Sequence, residues 1–142
     1  MSTEKLTVAD YPLAERRTDL VSGARGKSLD DLTLAALANG DAEMEDLRIT
    51  PNALHQQAAI ARAAGRAALA ANFDRAAELA NIPQDVIMSY YELLRPGRTR
   101  EKQTLCDAAQ RLRSEFKAPL MAAFIEEAAE VYERRGLYKF RY

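Results

Sequence analysis

The chain has 142 residues, of which 48% are hydrophobic, and it carries 20 basic and 21 acidic side chains. This length suits one domain, and the near-balance of charge argues against nucleic acid as the main partner. No apolar run approaches the ~20 residues that a membrane span needs, no secretory signal opens the sequence, and Cys106, the only cysteine, excludes an intrachain disulfide. We therefore expect a cytoplasmic protein, and the 27 alanines favour closely packed helices.

Residues 1–27 are predicted to be an extended, irregular N-terminal segment. Pro12 restricts Tyr11 to an extended conformation, and Gly23 and Gly26 interrupt any helix. Because so long a stretch without regular structure is uncommon inside a compact domain, we expect this segment to contact a partner.

Residues 28–142 are predicted to form a small all-α domain of about five helices, with no pattern that indicates a sheet. Ser28 can cap the first helix, with Asp31 in a capping-box position, and Gly40 ends it. The predicted inward face of this helix consists of Leu29, Leu32, Ala36 and Leu37.

A long second helix is predicted from Thr50 to about Ala80. Thr50 is a favourable cap, and Pro51 suits the first helical position. Gly65 is expected to kink or divide this helix, because glycine is a poor helix former.

Prolines delimit the remaining helices. The third begins at Pro83 and stops at Pro96, the fourth is capped by Thr99, and the fifth begins at Pro119. The predicted inward residues are Leu105, Ala109, Leu112 and Phe116 in the fourth helix, and Leu120, Ala123, Phe124, Ala128 and Val131 in the fifth.

Motifs that could carry chemistry are incomplete. The Gly-Lys-Ser ending at Ser28 lacks the upstream glycine of a phosphate-binding loop, because Val21 stands there, so we interpret it as a loop that leads into a helix cap. His55 is the only histidine, whereas a di-metal site in a helical bundle uses two. Cys106 lies beside an apolar stripe, where a small hydrophobic role is the usual one.

The charged clusters favour contacts between protein surfaces. The glutamates at positions 126, 127, 130 and 133 are followed by Arg134 and Arg135, and this mixture of charges indicates a solvated, ion-paired face. Basic residues concentrate between positions 95 and 113 without interleaved aromatics, which favours a protein partner or simple solvation over nucleic acid. Aromatic side chains near both ends indicate either an interface or packing against the chain's own domain; these are Tyr11, Tyr138, Phe140 and Tyr142.

Several ordered motifs resemble one known family. They are DYPLA at 10–14, GKSLDDLTL at 26–34, LRITPNAL at 47–54, NFDRAAEL at 72–79, IPQDVI at 82–87 and LRP at 94–96. Together they resemble the small (gamma) subunit of adenosylcobalamin-dependent diol and glycerol dehydratases over roughly residues 10–135.

This resemblance implies a helical, non-catalytic subunit of a hydro-lyase. Such enzymes contain two each of a large, a medium and a small subunit, and adenosylcobalamin lies between the large and medium ones. Radical chemistry there dehydrates 1,2-propanediol or glycerol to propanal or 3-hydroxypropanal. The small subunit supplies no catalytic, cofactor-binding or metal-binding side chain, so no such residue is assigned here.

The predicted function is therefore structural, within an assembly that has no nucleic-acid or membrane partner. Position and residue type nominate Tyr11, Pro12, Leu13, Arg48, Arg95 and Arg98 as contacts with partner subunits. A bacterial microcompartment is compatible with the family but is not indicated by this chain. Two alternatives stay open: a standalone helical adaptor or regulatory protein, and an independent enzyme that uses His55 or the glutamate cluster.

Overall fold

The computed structural model describes residues 5–139, and this range contains seven α-helices, four short 3-10 helices and no β-strand. The α-helices are α1 (Leu13–Arg16), α2 (Leu34–Asn39), α3 (Pro51–Ala63), α4 (Ala67–Leu79), α5 (Gln84–Leu94), α6 (Lys102–Ser114) and α7 (Pro119–Arg134). The 3-10 helices are Val8–Asp10, Thr18–Leu20, Leu29–Asp31 and Met44–Leu47. The all-α class is confirmed. None of the described helices is both long and apolar enough to cross a membrane.

The chain divides into two compact units, and the first of them ends at Ala80. Helices α3 and α4 pack against each other in this unit. Thr50 Oγ1 accepts a hydrogen bond from the Ala53 amide at 3.1 Å, so α3 begins where the sequence predicts. The predicted division at Gly65 is also confirmed, since this residue adopts a φ of 74° between the two helices. The helices meet through Ala58, Ala61 and Ala70, with Leu69 and Phe73 packed alongside.

The N-terminal segment contains only helices of three or four residues, but it packs onto its own unit. Leu6 and Leu13 are buried in a cluster with Ile60 of α3, and Leu20 and Val21 lie against this cluster. Apolar side chains of the segment therefore contribute to the core of the first unit, and its contact with a partner stays a prediction.

The prediction of a single helix from Ser28 to Gly40 is wrong, because two local caps interrupt it. The Asp31 carboxylate accepts hydrogen bonds from the amide and hydroxyl of Ser28, both at 2.9 Å, and closes a 3-10 turn. The Thr33 hydroxyl then caps α2, accepting from the Ala36 amide at 3.1 Å. The predicted inward face is also wrong at two positions, since Leu29 and Leu37 are exposed.

The second unit begins at Asn81 and contains α5, α6 and α7. Helices α6 and α7 pack against each other. Their buried residues are Leu105, Ala109 and Leu112 on α6 and Ala122, Ile125 and Ala129 on α7. The prediction for these three residues of α6 is confirmed, and Phe116 is half-buried with the Arg111 guanidinium 5.4 Å from its ring centre.

The inward face predicted for α7 is wrong. Leu120, Ala123 and Phe124 are exposed, and Ala128 and Val131 are only half-buried. The helix carries two apolar stripes, and the stripe with the smaller side chains faces α6. A stripe rich in alanine lets two helices approach closely, which the predicted stripe with its leucine and phenylalanine does not.

Polar side chains connect the helices of the second unit. The buried Thr99 hydroxyl donates to the Leu93 carbonyl at 2.7 Å, so Thr99 does not cap α6 as predicted and instead binds the end of α5. The Tyr90 hydroxyl donates to the Ala108 carbonyl at 2.8 Å. Tyr138 donates to the Ala129 carbonyl at 2.9 Å, so this aromatic packs on its own unit. Phe140 and Tyr142 lie outside the described residues.

Candidate interface

The predicted contact residues of the first unit lie at different depths. Tyr11 is exposed, Pro12 is half-buried, and Leu13 is buried in the cluster with Leu6 and Ile60. Tyr11 is therefore exposed two positions before a residue that is anchored in the core. Arg48 is exposed and forms an ion pair with Glu45 at 3.4 Å. Tyr11 and Arg48 are placed where a partner could reach them, while Leu13 supports the segment from inside.

The predicted contact residues of the second unit share one carboxylate. Arg95 and Arg98 lie 3.2 and 3.7 Å from Glu92, at the end of α5. Two cations with one anion leave a local positive charge that is exposed to solvent. The rest of the basic cluster is largely neutralised within the unit, as Arg111 pairs with Glu115 at 2.9 Å.

The glutamate cluster forms ion pairs between α6 and α7. Lys102 Nζ lies 2.7 Å from carboxylate oxygens of both Glu130 and Glu133, and these hydrogen bonds raise the pKa of the lysine. Arg113 donates two hydrogen bonds to Glu126, at 2.8 and 3.0 Å, which lower the pKa of that carboxyl. The predicted solvated, ion-paired face is confirmed.

His55 connects α3 to α4. Its Nδ1 lies 3.1 Å from Asp74 Oδ1, and Arg62 also donates to the same carboxylate. Burial acts to raise the pKa of Asp74, but the hydrogen bonds from His55 and Arg62 outweigh it, so the pKa is lowered. These interactions join helices, and no group of three or more His, Cys, Asp or Glu side chains among residues 5–139 could hold a metal ion.

The loop with the Gly-Lys-Ser sequence is held by contacts within the first unit. The Gly23 amide donates to the Lys27 carbonyl at 2.9 Å. Arg25 forms ion pairs with Glu43 at 2.9 Å and with Asp46 at 3.4 Å. The loop leads into the Ser28 turn, as the sequence predicts, and it brings its arginine to a buried carboxylate.

The sequence analysis did not predict the concentration of exposed apolar side chains in residues 29–49 of the first unit. Between positions 29 and 49, six large apolar side chains are exposed: Leu29, Leu34, Leu37, Met44, Leu47 and Ile49. Leu34 is 87% exposed and Met44 73%. The signal that could have revealed this surface is Thr33, a cap residue in the middle of the presumed helix, which breaks the spacing that would turn these leucines inward.

The second unit carries an apolar groove of 420 Å³ on the outer face of α7. It is lined by Leu94, Phe124, Glu127, Ala128, Val131 and Tyr132. Three of these residues belong to the stripe that the sequence predicted to face inward. The Tyr132 hydroxyl donates to the Leu94 carbonyl and so joins α7 to the end of α5.

Comparison with known proteins matches the chain to one family model and to two relatives of the same kind. The model of the dehydratase small-subunit family matches residues 6–139. A propanediol dehydratase small subunit of Salmonella typhimurium (strain LT2) is 44% identical over 132 residues, which cover 93% of this chain and 76% of that protein. A propanediol dehydratase small subunit of Citrobacter freundii is 43% identical over 138 residues, covering 97% of this chain and 80% of the relative.

Proposed function

Because the chain belongs to the dehydratase small-subunit family, we propose that it is the structural small subunit of an adenosylcobalamin-dependent diol dehydratase, a hydro-lyase. The observation that carries this proposal is the identity of 44% to a propanediol dehydratase small subunit over 93% of the chain. The enzyme would dehydrate 1,2-propanediol or glycerol to propanal or 3-hydroxypropanal, and it would reside in the cytoplasm.

The proposed partners are a large and a medium subunit, two of each with two copies of this chain. We assign adenosylcobalamin to those partners because the described residues of this chain do not fit it. The groove on α7 is lined by apolar side chains and one glutamate, and His55 is engaged by Asp74. The cofactor supplies the radical chemistry when bound, and this chain contributes by assembly and bracing.

The exposed surfaces support an assembly role. Large apolar side chains are displayed on both units, and monomeric proteins seldom expose extended apolar surface. A subunit whose stability depends on its partners gains apparent stability when it binds them.

Co-purification tests this proposal. A tagged copy of the chain is co-expressed with large and medium dehydratase subunits from the same organism, and an untagged copy serves as the control. We expect all three chains to co-elute and the purified complex to dehydrate 1,2-propanediol after adenosylcobalamin is added. Elution of the tagged chain without the other two subunits, across a range of salt concentrations, would refute the proposal and favour an adaptor.

A further inference from the structure

Residues 29–49, which we term the apolar segment, have an inverted pattern of burial. The residues of the segment that are buried are Ala42 and Asp46, at 6% and 3% exposure, whereas its leucines, isoleucine and methionine are either exposed or only half-buried. Folded chains usually bury large apolar side chains and expose aspartate. The small and polar residues of the segment therefore anchor it, and its large apolar residues are displayed.

The anchor at Asp46 is built from several contacts. Asp46 Oδ2 accepts a hydrogen bond from the Glu43 amide at 2.9 Å, and Arg25 lies 3.4 Å away. Gly23 packs so closely that a Cβ on it would lie 2.6 Å from the Asp46 carbonyl oxygen. The turn at 43–48 is thus fixed to the preceding loop.

Local hydrogen bonds at both ends of α2 also hold this helix in place. Thr33 caps the start of the helix, and Gly40 closes its end with a φ of 80°. The amides of Asp41 and Ala42 then donate to the Ala36 carbonyl at 2.8 and 3.1 Å. Leu34 and Leu37, three positions apart, lie on one face of this helix. Because these side chains stand on an ordered backbone, binding through them would cost little conformational entropy.

Charge indicates the nature of the partner. The apolar segment contains six acidic residues and one basic residue, Arg48. Glu43 and Glu45 are paired with arginines, but Asp30 and Asp41 are exposed and form no ion pair among residues 5–139. Acidic residues interspersed among exposed apolar side chains suit a partner surface that carries basic residues beside its apolar ones, and they disfavour the anionic surface of a membrane.

We propose that the apolar segment is the surface through which this chain docks onto another dehydratase subunit, at an apolar patch bordered by lysine or arginine. This inference rests on the proposed function and deepens it, because it assigns the interface to one segment of the chain.

Serine substitutions at matched methionines test the apolar contribution. Met44 lies in the apolar segment, and Met88 on α5 is exposed as well, at 73% and 49% respectively. We expect Met44→Ser and Leu34→Ser to weaken binding of the tagged chain to the large and medium subunits by about tenfold each, the loss typical of a central interface residue. We expect Met88→Ser to stay within about twofold of the wild type. Far-UV circular dichroism checks that each variant is folded. Because Leu34 and Met44 are both very exposed and are replaced separately, a folding defect in one variant leaves the other to test the inference.

Charge reversal tests the basic border. We expect Asp30→Lys with Asp41→Lys to slow association and to reduce its dependence on salt, whereas Asp85→Lys on α5 serves as the control with unchanged association.

The outcomes separate the two proposals. If the wild-type chain does not bind the other subunits, the proposed function fails. If it binds, but Leu34→Ser and Met44→Ser bind as tightly as Met88→Ser, the docking inference alone is overturned. Sedimentation of the wild-type chain by itself tests a further occupant, a second copy of this chain. If the chain forms a dimer that Leu34→Ser abolishes, while binding to the other subunits is unchanged, the inference is overturned in favour of that second copy.

Discussion

Replacement of Ile125 by alanine tests which stripe of α7 forms the core. Ile125 is fully buried, at 0% exposure, on the face that meets α6. The substitution removes three carbon atoms, and at about 0.8 kcal/mol for each buried methylene the transfer term is about 2.4 kcal/mol. The cavity adds to this, because a packed helix pair relaxes only partly, so we expect a loss of about 3–4 kcal/mol in the free energy of unfolding.

Leu120→Ala on the same helix is the matched control, because it removes the same number of carbon atoms. Leu120 is 47% exposed, so about half of the transfer term applies and we expect a loss of about 1 kcal/mol. Urea unfolding of the full chain, followed by circular dichroism, measures both losses. With a slope near 2 kcal/mol per molar urea, the midpoints should fall by about 1.5–2 M and about 0.5 M. Equal losses, or a larger one at Leu120, would refute the assigned register of α7.

Three further predictions concern the first unit. Gly65→Ala should cost about 1–2 kcal/mol in thermal unfolding, because alanine is strained at a φ of 74° although no atom lies within 4 Å of the added carbon. Gly23→Ala should cost about 1–3 kcal/mol by contact with the Asp46 carbonyl, and an unchanged melting temperature would contradict that close approach. The lowered pKa of Asp74 means that its ion pairs with α3 stabilise the chain above pH ~4 and are lost as pH falls through the lowered value. We therefore expect Asp74→Asn to be less stable than the wild type by about 1 kcal/mol near pH 6, with the difference vanishing in acid; a constant difference would exclude this linkage.

The sequence predicts best those features that depend on local backbone chemistry. Thr50 with Pro51 starts α3, Gly65 divides the long helix, and Pro83 and Pro119 precede or begin α5 and α7 as expected. Proline fixes its own φ, glycine tolerates a positive φ, and threonine supplies its own capping hydrogen bond, so no tertiary information is needed.

The features that were not predicted depend on contacts with parts of the chain that are distant in sequence. On α7 both stripes have helical spacing, and only the proximity of α6 selects the one rich in alanine. Thr99 has the residue type of a cap, but the carbonyl of Leu93 receives its hydroxyl. Among the nominated interface residues, Leu13 could not be separated from its exposed neighbour Tyr11 by type alone, because the partner of Leu13 is Ile60, 47 positions away in the chain.

The distribution of side-chain size between core and surface argues for a subunit that completes its burial against a partner. Nine of the 17 buried hydrophobic residues in the described chain are alanines, whereas twelve large hydrophobic residues are exposed. Alanine in the core permits close helix contact but removes little apolar area from water, so each helix pair contributes a modest stabilisation. Burial of the exposed leucines, isoleucine and methionine of the apolar segment at a subunit interface would add area that the isolated chain lacks. The concentration of alanine in the core therefore favours assembly with a partner. The exposed side chains of Leu34 and Met44, held on an ordered backbone, mark the surface that we propose for this contact.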